Sequence, residues 1–143
     1  MKAPILNPYL NFNGNCRAAM TFYQACLGGE LLLQTVAESP AAGHLPAEDQ
    51  PRIMHSMLTV DGQMLLLASD VMSVHSPVAD NNSVQLCLNC HSEEQIDGLF
   101  ARLSEGGTVT QALEMMFWGG KFGALTDQFG KQWLFNYQAA AQQ

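Results

Sequence analysis

Positive charge is scarce in this sequence. Six Lys and Arg stand against thirteen Asp and Glu in 143 residues, a net charge of −7, and the six cations (Lys2, Arg17, Arg52, Arg102, Lys121, Lys131) are scattered along the chain. Binding a phosphate backbone takes a basic stripe, so nucleic acid is not expected as a partner. Long apolar runs are missing too: none approaches the roughly 20 residues of a membrane helix. The start, Met1-Lys2-Ala3-Pro4, lacks the charged and apolar regions of a signal peptide. No membrane partner is expected, and a cytoplasmic location is the default. Cysteines are few. Cys16, Cys26, Cys87 and Cys90 suffice in number for two disulfides, but without a secretory signal free thiols are expected. Cys87-Leu88-Asn89-Cys90 has C-x-x-C spacing with neither a second pair nor a redox-type βαβ context, so neither zinc nor redox work is expected there. Against these shortages stand 48% apolar residues, enough to bury a core, in a length that fits one domain.

The clearest positive signal is an internal repeat. Asn15 stands as an N-cap before an apolar stripe at helical spacing (Ala19, Phe22, Tyr23, Cys26), closed by Gly28-Gly29. Ser92-Glu93-Glu94-Gln95 forms a capping box before a second stripe (Ile96, Leu99, Phe100, Leu103), closed by Gly106-Gly107. The two helices, expected near 15–27 and 92–105, superpose at an offset of 78, with Phe22 on Phe100 and Gly28-Gly29 on Gly106-Gly107.

Each helix lies between β-leaning segments, and each half ends in a hairpin, through Asp61-Gly62 and through Phe129-Gly130. The strands are expected near 4–12, 30–37, 53–60, 63–69, 83–90, 108–117, 121–126 and 131–138. The hairpins align at an offset of 68, which puts ten extra residues into the first half. Glu38 to Pro51, with three prolines, is where they fall, and this long loop is a candidate lid. The fold class that follows is α+β. It comprises two βαβββ modules, about 1–70 and 83–138, joined by a polar connection from about Val71 to Asn82 into a single domain. One helix covers only one face of a four-stranded mixed sheet, and pairing the free faces of two curved sheets makes a cup fit for a small molecule.

With this repeat, the chain resembles the vicinal oxygen chelate superfamily of glyoxalase I, extradiol dioxygenases and the bleomycin and fosfomycin resistance proteins. The residues that carry the likeness are Tyr9-Leu10-Asn11-Phe12, Phe22-Tyr23, Leu27-Gly28-Gly29, Met54-His55, Phe117-Trp118-Gly119, Phe122-Gly123, Asp127-Gln128-Phe129-Gly130 and Trp133. They are similar to the PhnB-like branch, some of whose members bear a ubiquinone methyltransferase label. Gly119-Gly120-x-x-Gly123 falls between strands, where it reads as a turn or bulge and not as a dinucleotide fingerprint. The resemblance implies a metal site with one His, Gln or Glu from the first and last strands of each half. Alignment puts Pro8, Leu66, Ser83 and Leu134 at those positions. Proline and leucine bring no side-chain donor and a lone serine is a weak one, so no metal and no other cofactor is expected. The resemblance also implies a homodimer.

His55 is the one histidine expected on a strand. With a type I′ turn at Asp61-Gly62, the hairpin puts His55 opposite Ala68 and on the same face as Leu66, inside the cup. There it is either a core histidine bonded to a carbonyl or a ligand contact or general base. Expected ligand contacts are Phe12, His55, Gln85, Trp118 and Trp133, the tryptophans serving either as core or as a stacking platform. Asp127 is expected to serve its turn. Three functions compete: metal-free binding of a small organic ligand; a lyase or isomerase-type enzyme with His55 as base or with metal ligands not identified; and a plain structural domain.

Overall fold

The computed structural model describes residues 2–79 and 83–138. The chain divides into two compact units, Met1–Ala79 and Asp80–Gln143. Both are built alike.

In the first unit, β1 (Tyr9–Phe12) leads into α1 (Cys16–Leu27), followed by β2 (Glu30–Thr35), β3 (Ile53–Val60) and β4 (Gln63–Asp70). The sheet order is β1-β4-β3-β2, with β1 parallel to β4 and the other pairs antiparallel. In the second unit, β5 (Leu86–Cys90), α2 (Glu93–Leu103), β6 (Thr108–Met115), β7 (Gly120–Thr126) and β8 (Gln132–Gln138) repeat the plan in the order β5-β8-β7-β6. Neither sheet closes on itself, and no described helix is long and apolar enough to cross a membrane.

The repeat extends to single contacts. A side chain at Gly29 would bring its Cβ within 2.2 Å of the Thr59 carbonyl oxygen, and one at Gly107 within 2.3 Å of that of Thr126. Both glycines are there because helix and sheet approach too closely for a Cβ.

The helix ends are capped differently. Ser92 Oγ accepts from Gln95 N at 3.0 Å, and Gln95 Oε1 accepts from His91 N at 2.7 Å, a capping box shifted by one donor. Asn15 makes no side-chain cap. Asp70, at the end of β4, does the work: its Oδ1 accepts from Gly14 N and Cys16 N, both at 2.9 Å, and its Oδ2 accepts from Ile53 N at 2.9 Å. One buried carboxylate thus ties α1, β3 and β4 together, and its charge faces the positive end of the helix.

β1 starts at Tyr9, not at residue 4. Pro8 has no N–H to give a ladder and contributes only its carbonyl, to Leu67 N, while Ile5 and Leu6 are exposed. The loop 38–51 is no free lid. It winds through two short 3-10 turns, Ala42–His44 and Ala47–Asp49, with Gln50 Nε2 donating to the carbonyls of Ala42 and Leu45. Fully buried Asp49 accepts from Ser73 N at 3.0 Å and Ser73 Oγ at 2.8 Å, which fastens the loop to the chain after β4.

Candidate functional site

Each helix packs on one sheet face and leaves the other open, so strand parity decides which side chains are available for binding. In the first unit Cys16 Sγ lies 3.6 Å from Ser56 Oγ, which makes Ser56 a marker of the α1 side. Leu10 and Ala68 share that side through the ladder, with Phe12, Leu58 and Leu66. The open face carries Tyr9 and Asn11 from β1, Leu67 and Ser69 from β4, His55 and Met57 from β3, and Leu32 and Gln34 from β2.

In the second unit the edge contact of Phe100 with Phe135, centroids 5.0 Å apart, marks the α2 side, shared by Trp133 and Leu125. The open face carries Gln85, Cys87 and Asn89 beside Gln132, Leu134 and Asn136, with Phe122 and Ala124 on β7. Two amide pairs cross it: Gln85 Nε2 donates to Gln132 Oε1 at 3.2 Å and Asn136 Nδ2 to Asn89 Oδ1 at 3.2 Å. Leu134 and Ala124 lie between these pairs as an apolar strip.

Of the five expected ligand contacts, the structure brings three to open faces. His55 is half-buried beside Gln34, and its ring makes no hydrogen bond among the described residues. Gln85 sits in the amide pair. Trp118 lies between β6 and β7, where a Cβ at Gly120 would meet its Nε1 at 2.5 Å. Since the neighbouring Lys121 points to α2, bonding Asp97 at 2.7 Å, Gly120 and the ring over it belong to the open side. Gly119, at φ +91°, makes the turn that places the ring there.

The other two go to the helix-covered cores. Phe12 is 3% exposed under α1, and Trp133 is 2% exposed with Nε1 donating to Asp127 Oδ2 at 2.8 Å. Asp127 also accepts from Phe129 N and Lys131 N, so it serves its turn and anchors the tryptophan.

His55 reaches its face by a different register from that expected. Asp61 and Gly62 do form the type I′ turn, with φ +53° and +77°. A shift at Leu65 then slides the ladder by one, so Leu66 pairs with Leu58 and turns to α1. The counterpart of Leu134 is therefore Leu67, not Leu66: each pairs with the first strand of its half and with the strand before its own. Leucine holds the position either way. Pro8 and Ser83 precede β1 and β5, and among the described residues no three of His, Cys, Asp and Glu gather as a metal-holding group. These residues do not fit the divalent ion that the fold family implies.

The thiols are not a redox pair. Cys87 and Cys90 stand three apart on one strand, on opposite faces and about 10 Å apart along it, too far for a disulfide. Burial, with a smaller contribution from the Cys87 charge, pushes the Cys90 thiol up to about 11. Burial likewise pushes Cys16 to about 11, partly countered by its bond to Ser56. Neither is a nucleophile near neutral pH.

Two four-stranded mixed sheets, each backed by one helix in a tandem βαβββ repeat, define the class of this protein as a glyoxalase-like fold. The model of the Glyoxalase/Bleomycin resistance protein/Dioxygenase superfamily matches residues 5–135, and the chain belongs to that superfamily. It is 36% identical to protein PA1353 from Pseudomonas aeruginosa, whose crystal structure superposes with a TM-score of 0.83 over 95% of this chain and 98% of that one. It is 33% identical to Protein YjdN of Escherichia coli over 92% of this chain and 93% of that protein. A Bacillus cereus PhnB protein, described as a putative 3-demethylubiquinone-9 3-methyltransferase, has the same fold (TM-score 0.71, 23% identity, 92% of this chain and 98% of that one).

Proposed function

We propose that this chain is a small-molecule-binding protein whose ligand lies against an open sheet face and is held without a divalent metal. The observation that carries the reading is the chemistry of the open faces. Apolar Met57, Leu67, Leu134 and Ala124 occupy their centres, with His55, Asn11 and the two amide pairs around them. Such a surface gains by burial and by a few hydrogen bonds, which suits a neutral or anionic molecule of aromatic size better than a metal-chelating diol. Trp118, 41% exposed over Gly120, supplies a stacking edge.

His55 is the histidine on these faces, and among the described residues no carboxylate or carbonyl is hydrogen-bonded to its ring to orient it. This favours a contact role over general-base work. We also propose a homodimer: β6 is an edge strand exposed along seven of its eight residues, a surface that a second copy suits.

The test is thermal melting of the purified protein with divalent metals and with a library of small aromatic acids, amides and phenols. A rise in Tm with organic molecules alone is the expected result. A rise specific to one metal overturns the metal-free reading, and no rise with any compound leaves a structural domain. Sedimentation at micromolar concentration checks the dimer.

A further inference from the structure

The first unit has a cleft of about 290 Å³ where the chain leaves β4. Its walls are Asn13, Arg52, Ser73 and His75 on the polar side, with Val71, Met72 and Pro77 on the apolar side. In a protein of net charge −7, this lining contains a guanidinium and an imidazole and no carboxylate.

The walls are firmly held. Arg52 donates through Nη1 to the Val71 carbonyl, and its Nε lies 3.4 Å from Asp49 Oδ1. Asn13 grips Val78 twice, Nδ2 donating to the carbonyl at 2.9 Å and Oδ1 accepting from the amide at 2.7 Å. After these bonds the unspent groups are mostly donors. Arg52 Nη2 and the His75 ring have no partner among the described residues, and the Asn13 amide keeps one N–H. A recess of this size edged by such donors suits an anion that brings its own acceptors.

The Asp49 carboxylate, beneath Arg52, offsets much of the guanidinium charge, so a singly charged group is favoured over a doubly charged one. We propose that the cleft binds a small organic monocarboxylate, its carboxylate against Arg52 and His75 and its short hydrocarbon part against Met72 and Pro77.

The probe is butyrate, titrated into the full-length protein and followed by the amide NMR signals of Ser73, His75 and Val78 and by the Asn13 side-chain NH₂. Saturable shifts with a millimolar Kd are expected. Butanol and sulfate at equal concentration should bind at least about tenfold more weakly, since one lacks the charge and the other is a dianion. Arg52→Gln should weaken butyrate about tenfold or more. Because Arg52 also fastens the loop 38–51, His75→Gln, at an exposed position with no side-chain bond, provides a variant that keeps the fold and should weaken binding several-fold. Absent shifts, binding of butanol or sulfate as tight as that of butyrate, or unchanged binding in His75→Gln would each overturn the proposal.

Discussion

Asp70 holds three backbone N–H groups that have no other acceptor among the described residues, and removing it is the sharpest perturbation of the first unit. In Asp70→Ala, Gly14 N can turn to water, because it lies near the surface. Cys16 N and Ile53 N are buried and lose their only acceptor. An unsatisfied buried donor costs about 1–3 kcal/mol, and the lost bonds were charge-assisted, so a total loss of about 3–5 kcal/mol is expected. Asp70→Asn keeps one oxygen, enough for the α1 side or for Ile53 but not both, and should cost roughly half as much. Asn15→Ala tests the alternative cap. Its side chain makes no bond to the helix, so the change should stay within about 0.5 kcal/mol, below the roughly 1 kcal/mol of an ordinary cap. The assay is urea unfolding with the slope m checked for constancy. The reasoning fails if Asp70→Ala costs less than about 1 kcal/mol, or if Asn15→Ala costs as much as Asp70→Asn.

Gly29→Ala and Gly107→Ala should each destabilise by about 3 kcal/mol or more, because each drives a Cβ into a carbonyl oxygen; one variant behaving like wild type in urea would break the structural equivalence of the halves. Asp127→Ala should strip Trp133 of its bond and quench or shift its fluorescence, with about 2–3 kcal/mol lost in urea; an unchanged spectrum would contradict the anchor role. Alkylation at pH 8 should label Cys87 first and leave Cys16 unreacted until unfolding, which mass mapping would reveal. Cys16 ionises at about 11 when folded against an ordinary 9.0. The unfolded chain therefore releases its proton first, and stability is full below pH 9 and falls as pH climbs from about 9 to 11. Cys16→Ser should flatten that alkaline limb, and a limb of unchanged steepness would refute the assignment.

The repeat was legible because helices announce themselves by stripe and stop signals: Gly28-Gly29 and Gly106-Gly107 end α1 and α2 within a residue or two of where the pattern places them. The faces were harder to read. A single shift at Leu65 reverses every side chain beyond it, and nothing in Met64-Leu65-Leu66-Leu67 marks which leucine turns inward. Phe12 and Trp133 went to the cores for a related reason: alternation orders residues along a strand but does not say which side the helix covers. Asp70 as a cap was invisible because it acts over more than fifty residues of sequence, whereas capping rules read only neighbours. Gln85, by contrast, keeps its place whatever the register, since its face follows from Leu134 beside Cys87.

Whether the open faces bind organic molecules without metal is tested most directly by methyl NMR of labelled Met and Leu during a screen of small aromatic acids and amides with EDTA present. The account predicts hits that shift Met57, Leu67 or Leu134, leave the core methyls of Leu58 and Leu103 unmoved, and are unaffected by the chelator. Hits that appear only when a divalent metal is added and vanish with EDTA would contradict it.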